Sequence, residues 1–180
     1  MKSIYRLLFC CSCFMALAPL NAQDFPDSWS GHWAGTVEIW SHNTIIDSFP
    51  MSVTISPADS SWDYTLVYDR PGAEQLDQRN YSLITLNDSL GHYGIDEHNS
   101  IILDSYLFGD CFYSPFSGMN TDLMVRICRM GPTELSYEIT STHADPIRES
   151  GGGVIGNDTI ISINSYEVFN VMRARLFLQP

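Results

Sequence analysis

The amino-acid sequence predicts an all-β chain folded as a single antiparallel up-and-down barrel of about 8–10 strands. Three observations carry that expectation. From Gly31 onward nearly every patterned segment alternates apolar and polar residues with period two, which places successive side chains on opposite faces of a strand. Turn-forming residues interrupt this alternation at short spacing. Helical periodicity is missing: only residues 73–78 tolerate a helix, and for a turn or two at most. A long meander of hairpins must hide its outer edges, and closing the sheet on itself removes them.

The first strand carries Trp33, Gly35, Val37 and Ile39 on one face and Ala34, Thr36, Glu38 and Trp40 on the other, so Trp40 is expected in solvent. Phe49, Met51, Val53 and Ile55 form the apolar face of the second, where Pro50 marks an edge, a bulge or the strand's start. Pro57-Ala58-Asp59-Ser60 then turns the chain. The third strand sets Trp62, Tyr64, Leu66 and Tyr68 against Asp63, Thr65, Val67 and Asp69, and stops at Arg70-Pro71-Gly72. Residues 81–87 are strand-like with weaker alternation. Segments 91–96 and 101–108 form a hairpin about Glu97-His98-Asn99-Ser100, pairing Ile95 with Ile102 and Tyr93 with Asp104. A further hairpin, 110–114 with 121–130, is centred near Met119-Asn120 and sets Cys111 opposite Cys128. Gly131-Pro132 turns into a strand marked by Leu135, Tyr137 and Ile139. Residues 141–158, rich in glycine, are expected to form one long mobile loop. Strands at 159–163 and 167–178 close the chain, with Val168, Met172, Ala174 and Leu176 on one face of the last.

Residues 1–22 have the build of a secretory signal peptide. Lys2 and Arg6 open it, an apolar run covers 7–18, and Leu20-Asn21-Ala22 ends in the small residue that signal peptidase requires. The cut is expected between Ala22 and Gln23, leaving residues 23–180 as a single β-barrel domain, exported to periplasm, cell surface or medium. The apolar run is shorter than the roughly 20 residues of a membrane span. Cys13 follows a small residue as a lipid-anchor site would, but Cys10 stands where such sites usually have leucine, which argues against an anchor. Without the leader, seven arginines and no lysine face 21 acidic residues, a net charge of −14. Such a surface repels phosphate backbones and anionic lipids, so neither nucleic-acid binding nor membrane insertion is expected. Cys111 and Cys128, the two cysteines beyond the leader, are either bridged, which export permits, or two buried thiols.

Gly31-x-Trp33 at the start of the first strand, after a lead-in carrying Phe25 and Trp29, resembles the calycin superfamily of lipocalins, fatty-acid-binding proteins and their relatives. The resemblance implies an up-and-down barrel of a kind that often holds a small apolar molecule. It also implies structural roles for Gly31 and Trp33 at the barrel floor, with Arg173 or Arg175 of the last strand covering the tryptophan by a cation–π contact. By parity both arginines fall opposite Met172 and Ala174, so one must reach around the strand end or follow a bulge. No segment suits the external helix of lipocalins or the helical lid of fatty-acid-binding proteins. Nitrobindin-like barrels lack that external helix and bind haem through a histidine, but no residue context here singles out one of the five histidines.

Two functional readings follow. In the first, Phe49, Met51, Trp62, Tyr64 and Tyr68 line a cavity that takes a small hydrophobic molecule, for which aromatic and methionine side chains are suited. In the second, those residues fill the core, and the barrel is a cell-envelope or secreted module whose exposed faces meet an unknown protein partner. His92, Asp96, Glu97 and His98 form the densest cluster of metal-ligating types, but His98 falls in a turn that twists the shared face apart, so neither a metal nor another cofactor is expected. No nucleophile with its base, acid–base pair or cofactor loop is recognisable, and Ser150-Gly151-Gly152-Gly153 lacks the strand–turn–helix setting of a nucleophile elbow. Enzymatic activity is not expected.

Overall fold

Alternating strands bury one face each, and here they do so by rolling that face inward. The computed structural model describes residues 25–180; the expected leader and its expected cut lie outside them. A 3-10 turn, Asp27–Trp29, precedes β1 (Gly31–Ser41), β2 (Thr44–Pro57), β3 (Trp62–Tyr68), β4 (Asp77–Asn87), β5 (His92–Asp96) and β6 (Ile102–Phe108). There follow β7 (Cys111–Gly118), β8 (Thr121–Gly131) and β9 (Glu134–His143), then four short strands and the closing strand β14 (Val168–Leu178). β1 to β9 and β14 form a closed barrel in which β1 pairs with both β2 and β14 and every neighbouring pair is antiparallel. The short strands build an arm off the barrel: β10 (Arg148–Ser150) pairs with β13 (Ile163–Ser165), and β11 (Val154–Ile155) pairs with β12 (Asp158–Thr159).

The apolar faces of the first three strands meet in register. Trp33 lies opposite Val53 and Val37 opposite Phe49, while Met51, Val53 and Ile55 lie opposite Tyr68, Leu66 and Tyr64. All nine of these side chains are buried, and Leu83, Ile95, Phe112, Ile127, Leu135, Tyr137 and Leu176 are among those that extend the core. Cys111 and Cys128 face each other across β7 and β8 and are joined by a disulfide with Cα atoms 4.1 Å apart. Their neighbours Phe112 and Ile127 point into the core, so the bridge lies on the outer face.

The lead-in segment seals one end. Pro26 and Trp29 are buried beneath Trp33, whose Nε1 donates to the Trp29 carbonyl at 2.9 Å. The Phe25 ring stands 4.8–4.9 Å from those of Trp29, Tyr93 and Phe112. Trp33 is therefore covered by its own lead-in and not by the last strand. Arg173 and Arg175 point outward, where they pair with Glu138 at 2.9 Å and Glu134 at 3.4 Å.

Several local expectations are corrected. The β5–β6 pairing slides by one residue, to Tyr93 opposite Ser105 and Ile95 opposite Leu103. Its turn spans five residues rather than four: Glu97 N–H donates to the Ile101 carbonyl, with His98 and Ser100 at positive φ. β4 begins at Asp77, ahead of residue 81, because Asp77 and Arg79 continue the inner face as polar residues. A register shift between Val168 and Asn170 removes Val168 from the face shared by Met172, Ala174 and Leu176. Trp40 is half-buried, because the β1–β2 register shifts at Ile39/Trp40 and the indole N–H lies back on the Glu38 carboxylate at 3.1 Å. The long loop is also more ordered than its glycines imply, since β9 runs to His143 and the arm is paired.

Candidate ligand site at the barrel mouth

Towards the sealed end the interior is solid; towards the other it opens. At that mouth β3, β4, β8, β9 and β14 enclose a cavity of about 210 Å³ whose wall is divided by chemistry. Leu123, Ile139 and Met172 supply an apolar side, with Ser141 and Asn170 nearer the rim. The strand registers force this grouping: Leu123 lies opposite Ser141, Ser141 opposite Asn170, and Ile139 opposite Met172. The polar side comes from Tyr68, Arg70, Asp77 and Arg79. Asp77 lies opposite Tyr68 and Arg79 opposite Leu66, so the inward turn of β3 carries both charged residues to the inner face of β4.

The charges at the rim compensate one another. Arg79 donates through Nε and Nη2 to the two carboxylate oxygens of Asp77 at 3.1 and 3.0 Å, a bidentate pair. That donation holds the Asp77 carboxyl below its ordinary value and the Arg79 guanidinium firmly protonated. Arg79 also lies 5.1 Å from the Tyr68 ring centroid. Arg70 repeats the device one layer over, bonded to Asp47 at 2.9 Å and placed 4.3 Å above the Phe49 ring. Deeper, the Tyr68 and Tyr137 hydroxyls share a hydrogen bond of 2.8 Å. Burial pushes both phenols up, and their bond draws Tyr68 partway back.

Of the five aromatic and methionine residues singled out by the alternation, Tyr68 lines the cavity. Phe49 lies buried beneath Arg70, and Met51 and Tyr64 are buried in the packed interior. Trp62 stands at the sealed end, where its Nε1 donates to Asp27 Oδ1 at 2.7 Å. The residues that sequence reasoning missed are Asp77 and Arg79, together with Ser141 and Asn170. Carrying the Leu83–Tyr81 alternation back by two and four positions would have found the first two.

His92 lies on the outer wall, stacked on Tyr106 with ring centroids 4.6 Å apart and bonded to Asp104 at 2.6 Å. Among the described residues no group of three or more His, Cys, Asp or Glu is placed to hold a metal ion. A wider groove of about 630 Å³ runs along the outside over Gly35 and Phe177. Its Arg126 and Arg173 both pair with Glu138, at 3.3 and 2.9 Å, which makes it a cross-strand charge ladder.

No protein-family model matches the chain, and no curated protein matches its sequence. Among solved structures, the S-type phycobiliprotein lyase of Guillardia theta is similar, with a TM-score of 0.59 over 86% of this chain and 90% of that one at 7% sequence identity. A likeness at that identity is one of fold. Closure of ten antiparallel strands over a floor built on Gly31-x-Trp33, together with that likeness, gives this chain a calycin-like barrel.

Proposed function

We propose that the protein is an exported, non-enzymatic barrel that takes one small, largely apolar molecule into the cavity at its mouth. The observation that carries this reading is the division of the interior: closely packed at the sealed end, with a cavity at the mouth where an apolar wall faces a fixed polar one. At about 210 Å³ the cavity is smaller than the ~300–1,000 Å³ of most ligand pockets, which favours a single ring or a short branched chain over a long acyl tail. Leu123, Ile139 and Met172 would hold its body. Arg79, Ser141 and Asn170 would meet one polar end. Because Arg70 and Arg79 are already neutralised by Asp47 and Asp77, an uncharged polar end fits better than a carboxylate.

The titratable groups of the cavity support binding rather than catalysis. Asp77 is held ionised and Tyr68 held neutral, so both are displaced away from the range in which a group exchanges protons near neutral pH. The signal-peptide-like start supports export, and the acidic surface suits a soluble carrier.

A direct test is mass spectrometry of a denaturing extract of the purified protein, beside a Leu123→Trp variant that fills the cavity. A stoichiometric small molecule in the wild type that the variant lacks is the expected result. Absence from the wild type of both a bound molecule and binding of an apolar fluorescent probe would overturn the reading. It would leave the second one, a protein-interaction module, which draws on the exposed outer face where Phe108, Tyr113, Pro115 and Met124 border a concavity of about 320 Å³.

A further inference from the structure

The hydroxyls beneath the mouth cavity do not balance. Tyr68 and Tyr137 are 5% and 2% exposed, and the 2.8 Å bond between their oxygens is the only hydrogen bond either hydroxyl makes among the described residues. Each phenol brings one hydrogen, and one shared bond uses only one of the two. A buried tyrosine hydroxyl ordinarily finds a partner, because it has given up its bond to water. One hydrogen of the pair is therefore left to be met by something else. Tyr64, 4% exposed and tilted against Tyr81 with ring centroids 6.3 Å apart, adds a second, since no hydrogen bond to its hydroxyl is made among the described residues.

The surroundings decide which phenol of the pair holds the spare hydrogen. Were Tyr68 the donor, the spare would sit on Tyr137, which is buried and takes no part in the cavity wall. With Tyr137 as donor it sits on Tyr68, which lines the cavity. The shared bond draws the Tyr68 pKa down and pushes that of Tyr137 up, the pattern of an acceptor and its donor. Nor do the charged groups of the rim use it. Asp77, the carboxylate opposite Tyr68, has both oxygens engaged by Arg79, and Arg70 and Arg79 can only donate.

We infer, taking the cavity as the ligand site proposed above, that the Tyr68 hydroxyl is its anchoring donor and that the bound molecule is a neutral single-ring carbonyl compound, such as a cyclic ketone, lactone or quinone, with an oxygen turned onto that hydroxyl. A carbonyl oxygen accepts and does not donate, which answers a wall whose unspent group is a hydrogen. A hydrocarbon ring would fill the same space and leave that hydrogen unmet. A carboxylate would bring a full charge to a site where Arg70 and Arg79 are already neutralised by Asp47 and Asp77. The ring itself lies against Leu123, Ile139 and Met172, and a space of about 210 Å³ suits one ring. Tyr137, by donating to Tyr68, holds its oxygen in place and so acts as a positioning residue.

The test compares cyclohexanone with methylcyclohexane, the same ring with a methyl group in place of the oxygen, by NMR titration of the purified protein and of Tyr68→Phe. The wild type should bind both. Loss of the phenol should shift the ratio of the two affinities about fivefold or more towards the hydrocarbon, the worth of one buried hydrogen bond, and a ratio cancels any general loosening of the site. The infrared carbonyl stretch of bound cyclohexanone should lie lower in the wild type than in Tyr68→Phe, a difference that a merely structural tyrosine does not produce. Tyr137→Phe should preserve the low stretch, because the hydrogen given to the ligand is Tyr68's own. A ratio and a stretch unchanged by Tyr68→Phe, with both molecules still bound, overturn the inference and leave the ligand-site reading standing. So does a stretch in the wild type equal to that in an alkane solvent, or one that Tyr137→Phe raises and Tyr68→Phe does not. Binding of neither molecule overturns the ligand-site reading and the inference with it.

Discussion

Gly35 shows how one absent side chain sets the shape of the barrel wall. A Cβ placed there would lie 2.0 Å from the Arg175 carbonyl oxygen and 3.2 Å from Leu176 Cδ2, so the β1 and β14 backbones approach only because nothing intervenes. Gly35→Val should open that seam and cost about 2–4 kcal/mol of unfolding free energy in urea, a loss in the range of strongly disruptive core changes. Gly131→Ala, where nothing lies within 4 Å, is the matched control and should be near neutral. The need for glycine at position 35 could not be read from the chain, since a glycine within an alternating strand also marks bulges and bends. Polar residues were hardest to place. Asp77, Arg79, Ser141 and Asn170 face inward, yet each interrupts the apolar alternation from which inward faces are inferred, because the rim of an open barrel is wet. The apolar residues of β1, β2 and β3 were legible for the opposite reason: their faces are buried along nearly their whole length.

At the scale of elements, the lead-in segment acts as a floor. Phe25 meets Trp29, Tyr93 and Phe112, and the Phe25 carbonyl accepts a hydrogen bond from the Tyr93 hydroxyl at 3.2 Å. Phe25→Ala should lower stability by about 2–3 kcal/mol, below the 3–5 typical of a fully buried phenylalanine because this ring is only partly enclosed. Near-ultraviolet circular dichroism would report the loosening of Trp29 and Trp33 alongside the urea curve. The lead-in also explains why a cationic cover for Trp33 was the wrong expectation to draw from resemblance: the tryptophan's one polar atom is already satisfied within its own segment. Hairpin registers were legible where symmetry spoke for them. Cys111 and Cys128 lie equidistant from a two-residue turn and do pair. The β5–β6 register failed because a five-residue turn with His98 and Ser100 in the left-handed region has no composition that separates it from a four-residue one.

For the whole molecule, closure and strand class followed from alternation and from the need to hide edges, which are properties of the entire chain. The arm did not follow, since its glycines suggest freedom while its pairing depends on register. One global property is set by the tyrosines of the core. Burial raises the pKa of Tyr64, Tyr68 and Tyr137 above the ordinary tyrosine value of 10.0, so folding favours their neutral forms. Stability from these groups is complete below pH 10 and is lost as pH rises from there towards the raised values, because the unfolded chain ionises first. Unfolding free energy measured in urea should thus be level from pH 7 to 9 with respect to these groups and fall beyond about pH 10, and Tyr64→Phe should make that fall shallower. The floor formed by Phe25, Pro26 and Trp29 has a last consequence. A vessel sealed below and open above is blind-ended, so whatever it takes up departs by the route of arrival. Under the proposed function, an acceptor that took the ligand directly would have to meet the mouth itself.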